Sequence, residues 1–443
     1  MDEAQALDLA ARVLDEARVA GADGAEASVS LARRMHVEAL ADVIARLEGS
    51  RSSSLLLRVF KDGRKATLAT SDASLEGLRD AVRRAVNHAE LVGHDRYAGL
   101  PEATATDVPS LNLEDLQLGR RAETDKIQES LELERLVRRE DTRVVNSAGS
   151  HYSDTSGITA LANSNGFAAA YAWTRIMRST APVALDGSVK RVGHYGTAAR
   201  HFHDLESLEA VASCAVRRAV DLFGARKPVT MRVPVIFERD VAASVLEDLF
   251  AAASGANVAT GNSWLSGRIG QRVGSELVTI VDDGRLPGRL GSAPFDGEGV
   301  PTRRTRVFER GILQTYLYDT YYARKLDAES TGNSTGTGIG PTNFYLEPGA
   351  ETLDQLVART PRGVLVMDTI GFATEHASGT YSRGARGFFI EGGELAYPID
   401  EFTIAARYPE MLAGIDAVAA DLRFDGAVVS PSFRVAEMTV SGN

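Results

Sequence analysis

The stretch SLLLRVFKDGRKATLATS, residues 54–71, sets the dipeptide Asp62-Gly63 between two segments that alternate apolar and polar residues. A two-residue type I′ turn requires positive φ at both central positions, and Asp-Gly adopts this conformation more readily than most pairs. This is the strongest short-range hairpin signal in the chain. It therefore predicts an antiparallel pair of strands in the N-terminal part of the fold.

Helical patterns lie on both sides of this hairpin. Apolar residues recur at helical spacing from Leu7 to Ala17, and a second apolar face begins after about Ser74. Strand-like runs fill the sequence between them. We therefore expect residues 1–105 to form an N-terminal α+β domain.

The middle of the chain predicts a second domain, residues 106–225, made of helix and antiparallel meander. It follows the looser segment PEATATDVPS, residues 101–110, and begins with a charged helical pattern from Leu113 to about Glu140. Strand-like runs separated by Asn-Gly and Asp-Gly turns come next. A helix from Leu205 to Phe223 ends this domain.

From MRVPVIFE onward, glycine-bearing turns separate short strand-like runs, and helices become few. The first of these helices is expected at Val241 to Ala253. The pattern predicts one β-rich C-terminal domain, residues 226–443. The fold class expected for the whole chain is α+β, in which N-terminal α/β units precede a large β-rich C-terminal domain.

Charge and cysteine content exclude several classes of function. The net charge of −11 and the isoelectric point near 5.4 argue against a nonspecific grip on nucleic acid, which depends on clustered Lys and Arg. Cys214 is the single cysteine, so neither an intrachain disulfide nor a thiolate metal cage can form. The sequence shows neither a secretory signal pattern nor an apolar run of about 20 residues. We therefore expect a cytoplasmic protein that binds neither nucleic acid nor membrane.

The polar run STGNSTGTGIG, Ser330 to Gly340, resembles a phosphate-binding loop only in its glycine content. It lacks G-x-G-x-x-G, a Walker lysine and a strand-loop-helix context. A structural or peptide-contacting loop is the favoured interpretation. Asn333 and Thr335 are accordingly candidate substrate-binding residues.

Two histidine-containing segments carry side chains of the kinds used in metal or acid–base chemistry. In HFHD, His201 and His203 would share one face of a strand without a third ligand, and Asp204 suits a helix N-cap, so a metal site is disfavoured. Glu375-His376 lies in a loop-like segment where acid–base use is conceivable. An exposed loop histidine is the commoner case, and His376 is kept as a candidate substrate-binding residue.

Short catalytic motifs do not name a chemistry for this chain. A serine hydrolase would show the nucleophile elbow G-x-S-x-G, which is absent. A zincin would show H-E-x-x-H on a helix, and none of the eight histidines precedes a glutamate.

Longer stretches, however, resemble the TldD/PmbA family, whose members were formerly called modulators of DNA gyrase. The stretches run in order from about residue 54 to the C-terminus and include SLLLRVFKDGRKATLATSD, ITALANSNGF, SELVTIVDDG, EGVPTRRTRVFERGILQTYLYDTYYARKL, STGN with PTNFYLEPG, RGVLVMDTIGF, GARGFFIEGGELAYPIDEFTI and MTVSG. The resemblance implies a cytosolic metalloprotease assembly of two related subunits. One is a zinc-bearing TldD type, and the other is a metal-free PmbA type, also called TldE.

The zinc subunit of that family carries an HExxxH helix and a further cysteine ligand near its C-terminus. Counted back from SELVTIVDD, the two histidine positions fall on Leu246 and Ala251, and the glutamate position falls on Glu247. The C-terminal segment DLRFDGAVVSPSFRVAEMTVSG has no cysteine. Because a zinc site needs at least three protein ligands, the resemblance implies the PmbA/TldE type, with no metal and no catalytic residue expected in this chain.

The sequence thus predicts a non-catalytic subunit of a zinc metalloprotease that cleaves unfolded peptides. Zinc would come from a TldD-type partner in a heterodimer, with a homodimer as the alternative assembly. Glu247 is either a residual substrate contact or an ordinary helix carboxylate. Two other functions stay open: a stand-alone hydrolase with an unrecognised site, and a non-enzymatic regulator or binding protein, of gyrase for example.

Overall fold

A computed structural model of the chain describes residues 2–102, 108–371 and 374–442. Within these ranges the strands form three sheets, and the mixed α+β fold class is confirmed. The expected domain boundary at residues 105 and 106 lies outside the described residues. The division into three domains therefore stays a prediction.

The first sheet takes strands from both expected N-terminal domains. Its strand order is β3-β2-β1-β4-β5-β6, antiparallel throughout, and β7 also pairs with β5. Pairing of β1 with β4 makes the sheet continuous between the two halves. The elements are α1 Glu3–Val19, β1 Gly24–Leu40, β2 Val43–Lys61, β3 Arg64–Thr70, α2 Leu75–Leu91, α3 Glu123–Glu140, β4 Val144–Asn163, β5 Ala168–Asp186, β6 Val189–Val192, β7 Tyr195–Ala199 and α4 Leu208–Val220.

Strand alternation gives this sheet two different faces. Ala25 and Val29 of β1 are buried in a core shared with α1 and α2, and Val37 is buried further along the same face. The opposite face of β1 carries polar residues, from Glu26 at one end to His36 near the other. Along β1, the hydrophobic residues thus face one side of the sheet and the polar residues face the other.

The hairpin predicted at Asp62-Gly63 is confirmed. Asp62 has φ of 48° and Gly63 has φ of 66°, and the flanking residues Lys61 and Arg64 pair as the last rung of β2 and β3. Both central residues therefore adopt the left-handed conformation that a type I′ turn requires.

Two helix starts in the middle region were predicted wrongly. The pattern beginning at Leu113 becomes helical only at Glu123, because the carbonyl of Leu113 accepts a hydrogen bond from the Thr174 amide at 2.9 Å and ties the preceding segment to β5. The next helix, α4, is capped by Ser207, whose side chain accepts from the Ala210 amide. Asp204 lies instead in a short 3₁₀ turn.

The C-terminal half contains the other two sheets. Strands β13-β8-β19-β16-β15 close into a ring because β15 also pairs with β13, and the remaining sheet has the order β11-β10-β9-β12-β18. The elements are β8 Met231–Phe237, α5 Arg239–Ala253, α6 Gly255–Ala259, β9 Ile280–Asp283, β10 Arg304–Glu309, β11 Ile312–Leu313, α7 Thr320–Lys325, β12 Phe344–Leu346, α8 Leu353–Ala358, β13 Arg362–Ile370, β14 Thr374–Glu375, β15 Thr380–Glu391, β16 Glu394–Arg407, α9 Tyr408–Ala413, β17 Ile415–Val418, β18 Val428–Val429 and β19 Phe433–Ser441.

Helix α5 packs against β12 and β18 of one sheet and β13 of the other. It buries Val245, Leu246 and Leu249 in the largest core of the C-terminal half. The helix is therefore held between two sheets.

A buried ion network joins the first sheet to the C-terminal half. Arg58 on β2 donates to Glu26 of β1, to Glu298 at 2.8 Å and to the carbonyl of Gly297 at 2.7 Å. All three charged side chains are less than 10% exposed. Burial raises the pKa of Glu26 to about 7. This effect is larger than the opposing attraction of Arg58, which also pairs with Glu298.

Among the described residues, no helix combines the length and apolar character needed to cross a bilayer.

Candidate functional site

The candidate site is built on α5, which follows β8 directly. The side chain of Glu238 accepts a hydrogen bond from the Asp240 amide at 2.9 Å and caps the helix start. The stretch aligned with the expected metal-binding helix, Leu246 to Ala251, lies in the second half of α5.

The side chains at the three aligned positions do not fit a zinc ion. Leu246 is 2% exposed and packs in the C-terminal core, and Ala251 offers only a methyl group. Of the three, only Glu247 has a donor atom. Zinc needs at least three protein ligands. Cys214 lies on α4, where Arg217 donates to its sulfur at 3.4 Å.

Glu247 lies on the exposed side of α5. Its pKa is raised, first by partial desolvation and then by the neighbouring Asp248 carboxylate, while Arg383 opposes the shift. A carboxyl group in this setting accepts hydrogen bonds from a ligand and, when protonated, donates one.

The next residue, Asp248, clamps α5 to two other elements. Arg383 of β15 donates to its Oδ2 at 2.6 Å, and the Tyr408 hydroxyl of α9 donates to the same oxygen at 2.7 Å. Both charged side chains are mostly shielded, at 13% and 12% exposure. This clamp fixes the rotation of α5 and thereby the direction in which Glu247 projects. No sequence motif pointed to it.

The clamp continues into the segment that carries His376. The Trp264 amide donates to the His376 carbonyl at 2.9 Å, and the Trp264 ring stacks on Tyr408 with centroids 6.1 Å apart. The amide of Tyr408 also donates to the carbonyl of Gly379 at 2.8 Å. The structure thus connects the His376 turn to the α5 clamp through Tyr408. The Nδ1 of His376 is shielded and makes no hydrogen bond within the described chain.

The Ser330 to Gly340 loop is anchored to β9 of the five-stranded sheet. Asn333 is 2% exposed, and its amide nitrogen donates to Asp282 at 2.6 Å and to the Gly340 carbonyl at 3.0 Å. Burial raises the pKa of Asp282 to about 6. Thr335 is exposed at the turn that this anchor supports. Asn333 therefore holds the loop in place, whereas Thr335 is accessible to a ligand.

The HFHD segment is organised by local contacts. His201 is 7% exposed, and its Nε2 lies 2.8 Å from the Asn112 carbonyl oxygen. The His203 side chain is 77% exposed, and its Nε2 lies 3.4 Å from Asp204. Across the described residues, the group of three potential metal ligands that does converge lies elsewhere, at His36, Glu38 and His151.

Taken together, α5 presents an oriented carboxylate beside a rigid aromatic and ionic cluster. At the three positions aligned with the metal-binding helix, Glu247 supplies the one donor side chain. The arrangement is suited to binding and positioning a polar chain.

Comparison with protein families gives matches along most of the chain. Residues 25–89 match domain 1 of the PmbA/TldA metallopeptidases, residues 120–223 match their central domain, and residues 230–442 match their C-terminal domain.

Two bacterial relatives align with this chain along most of their length. The metalloprotease PmbA homolog of Haemophilus influenzae is 31% identical over 424 residues, which cover 95% of this chain and 92% of that protein. Metalloprotease PmbA of Escherichia coli O157:H7 is 29% identical over 431 residues, with the same coverage of both chains.

Solved structures show the same fold. A protein described as a modulator of DNA gyrase from Bacteroides thetaiotaomicron superposes with a TM-score of 0.92 at 23% identity, covering 98% of both chains. TldE from Thermococcus kodakarensis superposes with a TM-score of 0.89 at 23% identity, covering 98% of this chain and all of that one.

Proposed function

Because this chain belongs to the PmbA/TldD metallopeptidase family, we propose that it is the metal-free, PmbA/TldE-type subunit of a two-subunit zinc peptidase. The partner would be a TldD-type chain that holds the zinc and carries out hydrolysis. This chain would contribute wall and binding surface for unfolded peptides in the cytoplasm.

The observation that carries the proposal is the donor set of α5. Leu246, which is buried in the core, and Ala251 occupy the two positions at which the zinc-bearing subunit has histidines. A catalytic zinc site needs three protein ligands and an open position for water or substrate. Of the three aligned positions on this helix only Glu247 offers a donor atom, which supports a zinc supplied by another subunit.

The clamp around α5 supports a binding role for this helix. Asp248, Arg383 and Tyr408 hold the helix face in a fixed orientation. A ligand that binds to this face does not have to order the helix first, which lowers the entropic cost of binding. We propose that Glu247 accepts a hydrogen bond from peptide backbone, and that Thr335 and His376 are secondary contacts.

Asn333, the remaining candidate, is proposed to act by holding the Thr335 loop. Its amide is already bonded to Asp282 and Gly340. Replacing it would therefore affect loop structure before it affected any ligand.

Co-purification tests the assembly. A tagged copy of this chain expressed in its native host should retain a TldD-type protein in stoichiometric amount. Sedimentation of the purified mixture should show a species of the combined mass. Recovery of a homodimer alone would contradict the heterodimer.

The same material separates the two competing functions. Peptide hydrolysis by the isolated chain at a rate insensitive to chelators would favour a stand-alone hydrolase. Stable client binding without proteolysis, even after the TldD-type partner is added, would favour a regulator.

The Glu247→Ala variant tests the proposed contact within the reconstituted complex. We expect kcat/KM for peptide cleavage to fall at least tenfold, with assembly unchanged. Glu437→Ala is a suitable control because that carboxylate is exposed on β19 and pairs with Arg232. Equal activity of the two variants would show that Glu247 is an ordinary helix carboxylate that does not contact the substrate.

A further inference from the structure

Three side chains with metal-binding atoms meet on the polar face of the first sheet. His36 and Glu38 are two residues apart on β1, so they project to the same side. His151 of β4 is the direct cross-strand partner of Glu38. Sheet pairing thus brings two imidazoles and one carboxylate together from positions more than a hundred residues apart in the chain.

The donor atoms of these residues all lie within 4.8 Å of one another. The two imidazole rings are stacked, with centroids 5.5 Å apart and planes at 19°. Tetrahedral zinc with bonds of about 2.0–2.2 Å holds its donors roughly 3.4 Å apart. Small side-chain rotations would close the difference, and all three residues are only half-buried.

Gly149 leaves room next to two of the donors. A Cβ on this residue would lie 3.1 Å from His151 Nε2 and 3.2 Å from Glu38 Oε1. Any larger residue would therefore occupy the space that these two atoms face. Gly149 also has φ of 112°, a conformation that side chains rarely adopt.

The ring nitrogens supply an independent observation. The Nδ1 atoms of His36 and His151 are shielded from solvent, and neither forms a hydrogen bond within the described chain. A shielded polar atom without a partner costs about 1–3 kcal/mol. An ion bound at the edge of both rings, in the plane of each imidazole, would give at least one of these nitrogens a partner after a ring rotation.

The surrounding charges permit a cation to approach. Arg34 and Arg46 lie near His36. Arg46 is paired with Glu48 at 2.6 Å, which offsets its charge. Glu38 supplies negative charge within the cluster. Of the three ligands, His36 lines a surface cleft of about 610 Å³, together with Arg34 and residues 46–50.

We propose that His36, Glu38 and His151 form a binding site for one divalent transition-metal ion of the zinc type. Two imidazoles and a carboxylate are a ligand set that such ions accept, with positions left for water. The ion would cross-link β1 and β4 on the polar face of the sheet. The site lies on the first sheet, whereas α5 packs against the two sheets of the C-terminal half. The proposed metal site is therefore independent of the proposed peptidase role. With this site, the expectation that the chain is metal-free would hold only for the aligned positions on α5.

Zinc titration of the chelator-treated, full-length chain by calorimetry tests the proposal. We expect one Zn²⁺ per chain in the wild type and at least tenfold weaker binding in Glu38→Gln and in His151→Asn. His203→Asn is the matched control because that histidine is exposed and lies outside the cluster. It should bind zinc as the wild type does. Circular dichroism of each variant verifies that the sheet is intact.

Cobalt(II) gives a second readout, which reports the ligands of the bound ion and not the affinity for zinc. Its visible absorption reports imidazole and carboxylate ligation, and the bands should disappear in His36→Asn and His151→Asn but persist in His203→Asn. Absence of zinc binding in the wild type, or binding that Glu38→Gln and His151→Asn leave unchanged, would overturn the site. Neither result would bear on the role of α5.

Discussion

Restoring the two imidazoles on α5 should damage the fold without creating a peptidase. The change is the double substitution Leu246→His and Ala251→His. Leu246 is 2% exposed in the C-terminal core. A histidine there loses packing and buries a ring nitrogen without a partner, at a cost of about 2–4 kcal/mol. At half-buried Ala251 the cost is about 0.5–1 kcal/mol, mainly from lower helix propensity.

Denaturant unfolding followed by circular dichroism measures this loss. Leu246→Met is the matched control because it nearly conserves volume, and it should cost less than about 1.5 kcal/mol. The double variant should bind no more zinc than the wild type, since Glu247 and two new imidazoles would still lack the surrounding groups that orient metal ligands. A double variant of wild-type stability that takes up an additional zinc and cleaves peptides would refute the reasoning.

Three further predictions follow from the buried ion network and the exposed helix face. Arg58→Met leaves two buried carboxylates without their cation and should lower the free energy of unfolding by about 3–5 kcal/mol, and adding Glu26→Gln should recover part of this loss in the same denaturation assay. Because burial raises the folded pKa of Glu26 from 4.5 to about 7, its contribution is complete below about pH 4.5 and is lost as the pH rises through 7, so Glu26→Gln should flatten the pH dependence of thermal unfolding across that range. Glu247→Ala should change stability by less than about 1 kcal/mol, the usual range for an exposed position, and a larger loss in urea unfolding would show that its carboxylate has a structural role.

Local sequence chemistry predicted the local features of the fold well. Asp62-Gly63 forms the turn of the predicted hairpin, because positive φ at these positions depends on the turn residues themselves. The start of α3 was missed, since the segment from Leu113 is held out of the helix by a hydrogen bond from Thr174, a contact across 61 positions in sequence.

Features made by tertiary pairing were not visible in the sequence. The spacing of His36 and Glu38 is consistent with one face of a strand, but His151 joins them only through the register of β1 with β4. The clamp on Asp248 likewise depends on Arg383 and Tyr408, more than a hundred residues away. The polar loop at Asn333 was identified from its composition, and only the structure distinguishes the buried amide from the accessible Thr335.

Peptide hydrolysis measured in parallel for the isolated chain, for the TldD-type partner and for their mixture tests the central claim most directly. The account predicts no hydrolysis by this chain alone. It predicts full activity only in the mixture, lost on chelation and restored by zinc even when this chain carries His151→Asn. Hydrolysis of unfolded peptides by the isolated chain, retained in Glu247→Ala and insensitive to chelators, would contradict the account.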